Sequence, residues 1–283
     1  MKIIGWNINH RVGYSKINMP KWVKSVITDK NADVIVLTEV SFKVPNFKEE
    51  YQILVNRDEY FVFSSNNNDF GFNEVIIAIK KNCFEVKYFK SFISNVDTYP
   101  DHLEITCVDK KTGEELVIVG MRMHATKPSE ENNYKKNKKF KKVLESLEHK
   151  DNVIIVGDFN NYRRGFSTKY WCLDEVKKLA DKYGFEMFTP NGGSINEDNN
   201  NGDYSFPVDH ILAKGNSLKV TKLYDYDRSF TNKEKNIYVW NSDFQRYCGK
   251  DDRGKNIYDK ISDPFPDHAI IEADFQFTEK KEQ

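Results

Sequence analysis

Residues Val153–Asn161 read VIIVGDFNN. Four β-branched aliphatic residues in a row mark a strand covered on both faces, and they run into a glycine, an acid, an aromatic ring and two amides. Side chains along a strand alternate between its faces, so Asp158 and Asn160 point the same way. A carboxylate and an amide are costly to bury without partners. At a strand's end both can project into a cleft, where a turn, a partner side chain, or a metal with its substrate would meet them.

The same kind of run recurs along the chain as KIIGWNI, DVIVLTEV, EVIIAIK, ELVIVGMRMH, VDHILAK and HAIIEADFQF. These are short, rich in Ile and Val, and bounded by polar or turn residues, so they read as strands. Between the first two, Pro20 suits a first helical turn, and Trp22, Val23, Val26 and Ile27 recur at helical spacing. A second helix starts near Ser129, with acids in its first turn and an apolar stripe of Phe140, Val143, Leu144 and Leu147. A third runs through LDEVKKLADKYG and stops at Gly184. Strands outnumber helices, and the pattern predicts an α/β domain of two packed sheets with helices outside.

The 283 residues suffice for one large domain, and twenty Phe and fifteen Tyr supply bulky core material. Lys plus Arg equals Asp plus Glu at 43 each, so no overall field gathers a polyanion, although a local basic cleft is compatible with this balance. Cys83, Cys107, Cys172 and Cys248 form no C-x-x-C pair, which argues against a zinc site, and a chain this long needs no disulfide scaffold. The opening MKIIGWNINH lacks an apolar core and a cleavage site, and no run is long enough for a membrane helix. The expectation is a cytoplasmic protein with no membrane contact and no obligate protein partner.

Polar residues collect at the strand ends. Asn7 closes the first run, Glu39 the second, His124 the long hairpin strand, and Asp158 with Asn160 the run quoted first. Asp209 lies in FPVDHIL, and PFPDHAII places Asp267 and His268 before the last strand. Singly, each reads as a turn, a cap, an ion pair or a satisfied imidazole. Gathered at one end of a fold, they make a hard, oxygen-rich site suited to Mg²⁺, with Mn²⁺ as a substitute, rather than to zinc.

In order and wording these motifs resemble the endonuclease/exonuclease/phosphatase superfamily of pancreatic-type deoxyribonuclease-like metal-dependent phosphodiesterases. The matching pieces are WNIN, ADVIVLTEV, RMHA, GDFN, VDHI and PDH, spread over almost the whole chain. The resemblance implies a four-layer α/β sandwich, residues 1–283 forming a single domain of two mainly antiparallel β-sheets flanked by helices. It implies Glu39 as first metal ligand, with Asn7 and Asp267 as further direct or water-mediated ligands. Asp158 would orient or deprotonate the attacking water beside Asn160, whose amide donates to a phosphoryl oxygen. His268 would contact the phosphate or share the base role, with Asp209 on its other nitrogen, and His124 would serve the leaving oxygen.

Several neighbours have two readings. Glu74 either pairs with His124 or sits in solvent at a strand edge. Arg122, on the same side as His124, binds phosphate or closes a structural ion pair. His210 should point away from Asp209 and stays outside the site. Gly157 would keep the approach to the metal open. The lysines of YKKNKKFKKVLE read as a solvated helix face rather than a DNA-binding patch. Asn191–Ser205 is amide- and glycine-rich and reads as a mobile loop. Residues 226–265 read as a substrate-side insert whose aromatics (Tyr238, Trp240, Phe244, Tyr247) and arginines (Arg228, Arg246, Arg253) stack bases, or else cap the sandwich as a small subcore. After WNIN the chain continues HRVGYSK, unlike the abasic-site repair enzymes. The expected partner is a phosphoester substrate, with DNA or RNA ahead of a nucleotide, another small phosphoester or an inositol or lipid phosphate. A reading of another class, a catalytically inactive binding or scaffold module, is countered by the intact set of site residues.

Overall fold

The aliphatic runs pair into two six-stranded sheets, as a computed structural model of the chain shows. The structure describes residues 1–8, 21–41, 56–65, 72–92, 100–162, 171–195, 206–229, 245–260 and 267–278. In the first sheet, β1 (Lys2–Asn7) and β2 (Val34–Ser41) lie side by side in parallel. Around them are β3 (Tyr60–Ser64), β4 (Phe72–Lys80), β11 (Leu218–Leu223) and β14 (Ile271–Phe277), in the order β11-β14-β1-β2-β4-β3. In the second, the order is β5-β6-β7-β8-β10-β9, from β5 (Phe84–Phe92), β6 (Asp101–Asp109), β7 (Glu115–Arg122), β8 (Val153–Asp158), β9 (Glu186–Phe188) and β10 (Asp209–Lys214). Every pairing is antiparallel except β1–β2 and β7–β8.

A strand covered on both faces must be continuously apolar, and β8 shows why. Ile154 and Val156 pack inward with Ile3, Val36, Ile77, Ile105 and Ile118 to form the layer between the sheets. Val153 and Ile155 face outward onto α2 (Glu130–Ser146) and α3 (Leu173–Lys182), where Phe140, Val143, Leu144 and Val176 cover them. The outer face of the first sheet, with Ile4, Trp6, Ile35 and Leu37, is covered by Val23 and Ile27 of α1 (Lys21–Lys30). The result is an α/β/β/α sandwich of four layers, the expected class. Close approach of the sheets depends on Gly120, where a Cβ would come within 2.6 Å of Val75 and 2.8 Å of Val36 side-chain atoms.

The helix boundaries follow local chemistry. Ser129 Oγ accepts the Asn132 backbone N–H at 3.1 Å, and Glu130 and Glu131 occupy the positive first turn of α2. Past α3, Gly184 takes a φ of +76°, the left-handed conformation that ends helices. Pro20 lies outside the described residues.

Two long irregular stretches are more built than their composition suggests. Ser194, fully buried, accepts the backbone N–H groups of Val208 and Asp209 through its hydroxyl, at 2.8 and 3.1 Å, and Ile195 bridges to Phe206 and His268. The first residues of Asn191–Ser205 are thus tied to the site rather than loose, and residues 196–205 lie outside the described part. Within residues 226–265, β12 (Gln245–Lys250) and β13 (Asn256–Lys260) pair as a hairpin, and Arg228 donates to the carbonyl of Gly193. Tyr238, Trp240 and Phe244 lie outside the described residues, as do the side chains of Arg246 and Tyr247.

Candidate active site

Strand direction gathers the polar ends. β1, β2, β7 and β8 finish where β6, β10 and the segment before β14 begin, because Arg122 lies opposite both Asp101 and Asp158, and Asp158 opposite Asp209. The sheets meet there through side chains. Asn7 Nδ2 donates to Asp158 Oδ2 at 3.0 Å and lies 3.3 Å from His268 Nε2. The other imidazole nitrogen of His268 is 2.8 Å from Asp209 Oδ2, and Asp267 Oδ1 stands 3.9 Å from Nε2. Asn160 bonds Asp158 twice, backbone N–H to Oδ1 at 2.8 Å and Nδ2 to Oδ2 at 2.5 Å, and its Nδ2 also reaches the Met123 carbonyl at 2.8 Å.

A second network runs alongside. Arg122, only 2% exposed, donates through Nε to Glu39 Oε1 at 2.7 Å and holds the same oxygen with a second guanidinium nitrogen at 2.6 Å. Its remaining nitrogen reaches Asp101 Oδ2 at 3.2 Å, and Asp101 Oδ1 is 3.2 Å from His124 Nε2. Of the two placements open to Arg122, the structure shows the ion pair.

Backbone geometry aims these side chains. Glu39 has φ +54° at the register shift between Leu37 and Val40, and Asn160 has φ +44°. Non-glycine residues hold such angles at about 1–3 kcal/mol each, when their surroundings fix them. Buried aromatic donors hold carbonyls of neighbouring site segments. Trp6 Nε1 donates to the His268 carbonyl at 3.0 Å, Trp171 Nε1 to the Phe159 carbonyl at 3.0 Å, and the Tyr226 hydroxyl to the Asp209 carbonyl at 2.5 Å.

The charge balance suits a cation. Glu39, Asp101, Asp158, Asp209 and Asp267 bring carboxylates together, while Arg122 and His268 supply the opposing charge. Burial raises the Asp158 carboxyl above the usual carboxylate range; the His268 charge counteracts this and Asp209 adds to it. Burial opposes charging His268, but Asp209, by its charge and its hydrogen bond, outweighs burial and lifts the imidazole to about 10. The Asp209 carboxylate thus favours the charged form of the imidazole. Asp158, Asp209 and His268 each offer a ligand atom within 4.8 Å of the others. A buried, oxygen-rich set with excess negative charge fits a hard divalent ion.

Packing decides several open readings. Glu74 is neither in solvent nor on His124: it is 3% exposed and accepts from the Ser65 hydroxyl, and Asp101 stands against His124 instead. At Gly157, with its φ of +155°, a Cβ would strike the Met121 carbonyl of the neighbouring strand, so strand packing by itself demands glycine there. Most lysines of the lysine-rich helix are at least partly exposed, as expected, while Lys136 and Lys139 are buried. The segment from Asn191 is anchored through Ser194, as described above. Asp101 was missed, although it opens its strand directly after Pro100, as Asp267 follows Pro266. His210 faces away as expected, between the Thr189 hydroxyl and Asn161 Oδ1, both at 2.9 Å.

Buried carboxylates, an amide and an imidazole thus converge at the strand ends of a four-layer sandwich. The chain belongs to the Endonuclease/Exonuclease/phosphatase family, whose profile matches residues 4–229. It is accordingly a metal-dependent hydrolase of phosphoester bonds, of phosphodiesterase or nuclease type. Among solved structures, the human Nocturnin catalytic domain with bound sulfate anion is similar over 98% of this chain and 94% of its own, at 15% identity and TM-score 0.62. D. rerio TDP2 complexed with single strand DNA product is similar over 98% of both chains, at 13% identity and TM-score 0.59. An endonuclease/exonuclease/phosphatase from Bacteroides vulgatus also covers 98% of both, at 12% identity and TM-score 0.62. No curated protein sequence matches the chain. Among the described residues, no helix is long and apolar enough to cross a membrane.

Proposed function

We propose that the chain is a Mg²⁺-dependent phosphodiesterase acting on nucleic acid. The observation that carries this reading is the run of contacts Asn160–Asp158–Asn7–His268–Asp209, which sets a carboxylate of raised proton affinity beside an imidazole fixed by a second carboxylate. Glu39, Asn7 and Asp267 would hold the metal, with Mn²⁺ as a substitute. Bound there, a divalent ion would neutralise charge on the phosphoryl oxygens and the leaving oxygen.

The protein groups divide the remaining work. Asp158, fixed by three hydrogen bonds from two asparagines, takes the proton of the attacking water. Asp209 favours the charged imidazole and fixes its orientation, so His268 is assigned the role of donor to a phosphoryl oxygen. Asn160 adds a second donor. His124, steadied by Asp101, serves the leaving oxygen.

For the substrate, support comes from a protein of the same fold, D. rerio TDP2, crystallised with single strand DNA product. A small phosphoester is the second reading, favoured by equal counts of basic and acidic residues, which leave no long-range pull on a polyanion. The test is a panel of single-stranded DNA, duplex DNA, RNA, nucleotides and inositol phosphates, each with Mg²⁺. Faster cleavage of a nucleic acid than of any small phosphoester is expected. Turnover confined to nucleotides or inositol phosphates would overturn the nucleic-acid assignment while leaving the hydrolase intact.

A further inference from the structure

Lys136 projects from α2 into the protein rather than into water. It is 3% exposed, whereas Lys135 on the same helix pairs with Glu131 in solvent at 2.7 Å. Lysines are almost never enclosed unless something meets the charge. Among the described residues Lys136 forms no ion pair; Nζ donates to the Asn160 carbonyl at 2.8 Å and lies 4.5 Å from the centre of the Tyr162 ring. Tyr162 is fixed in turn, its hydroxyl 2.7 Å from Thr126 Oγ1 and 3.1 Å from the Lys127 carbonyl.

The Asn160 carbonyl is a consequential place to hold. Asn160 sits at φ +44°, and both its backbone N–H and its side-chain amide are committed to Asp158. That carbonyl belongs to the Asn160–Asn161 peptide, so Lys136 holds the exit of the turn whose entry and side chain meet Asp158. We propose that Lys136 is a positioning residue, clamping the Asn160 turn so that Asp158 and Asn160 keep the orientation phosphoester hydrolysis requires. The inference rests on the function proposed above for Asp158 and Asn160. Burial lowers the Lys136 ammonium to about 7, Asp158 on β8 favouring its charge and Arg122 on β7 opposing it. An apolar residue would fill this position at lower cost in burial, so the buried amine has a use beyond filling space.

The test compares wild type with Lys136→Met, which keeps an unbranched apolar stem and removes the donor. Lys138→Met, at an exposed position, is the control. Two quantities are measured: hydrogen exchange at the Phe159–Tyr162 amides, and kcat and KM on bis-p-nitrophenyl phosphate with Mg²⁺. Exchange at these amides should rise about tenfold or more in Lys136→Met, with the sheet core unchanged. Misplacement of this kind should lower kcat roughly 10²-fold while KM stays nearly constant. Combined with Asn160→Ala, the lysine substitution should add almost nothing, since both act through one turn. Unchanged exchange, or a loss that multiplies fully with that of Asn160→Ala, would overturn the proposal. Should Lys136→Met fail to fold, Lys136→Leu, which also removes the donor, is read by the same outcomes. If the wild type hydrolysed no phosphoester, the functional reading would fall, and the exchange measurement would still decide whether Lys136 holds the turn.

Discussion

Asp158→Asn should lower the rate of phosphodiester hydrolysis by about 10³-fold, the scale of removing a positioned general base. The buried carboxylate has raised proton affinity and sits beside Asn7 and Asn160, so it is the group in this site suited to take a proton near neutral pH. The fold should tolerate the change. An amide at position 158 can keep the bond from the Asn160 N–H and gain one from a flipped Asn7 amide; the Asn160 side-chain bond is lost, but that amide keeps the Met123 carbonyl. The melting temperature should stay within about 3 °C of wild type, a shift equivalent to roughly 1 kcal/mol. Steady-state kinetics beside a thermal melt checks both halves, and wild-type-like turnover would remove Asp158 from the reaction.

His268→Ala has a different signature, because it damages stability as well as rate. It removes the imidazolium and leaves the Asp209 carboxylate, 2% exposed, without its charged partner. Breaking a buried pair from one side costs about 3–5 kcal/mol. Loss of a preorganised donor to the phosphoryl group should cost about 10²–10³ in kcat. The pH dependence carries a definite sign. The imidazole is raised from 6.5 to about 10 on folding, so its contribution to stability is fully present below 6.5 and is lost as pH rises toward 10. Wild type should therefore lose melting temperature between these values by more than His268→Ala does. Parallel melting profiles for the two proteins would contradict a charged His268.

What the sequence revealed, and what it hid, follows from the range of each interaction. The strand ends were legible because period and length are local: Asn7, Glu39, Asp158 and Asp209 terminate or open aliphatic runs, and the parallel pairs β1–β2 and β7–β8 bring those ends together. The partner of His124 was not legible. Choosing between Glu74 and Asp101 depends on cross-strand register, with Asp101 set opposite Arg122 while a register shift in β2 sets Glu74 against Val40. Lys136 was within reach of a longer periodicity argument. The stripe Phe140, Val143, Leu144, Leu147 extends one turn toward the N-terminus to Lys136, four residues before Phe140, and Lys139 lies four before Val143. Residue type hid what spacing showed. The role of Gly157 was invisible for a similar reason, since the carbonyl that excludes a Cβ belongs to Met121 on the adjacent strand.

The central claim is that these strand ends form a metal-dependent phosphoesterase centre built on Asp158. It is tested most directly by hydrolysis of bis-p-nitrophenyl phosphate by the purified chain, before and after removal of divalent ions with a chelator. The prediction is turnover that disappears with the metal, returns when Mg²⁺ is added, and is nearly absent at every metal concentration in Asp158→Asn. Turnover indifferent both to the chelator and to the Asp158 substitution would contradict it.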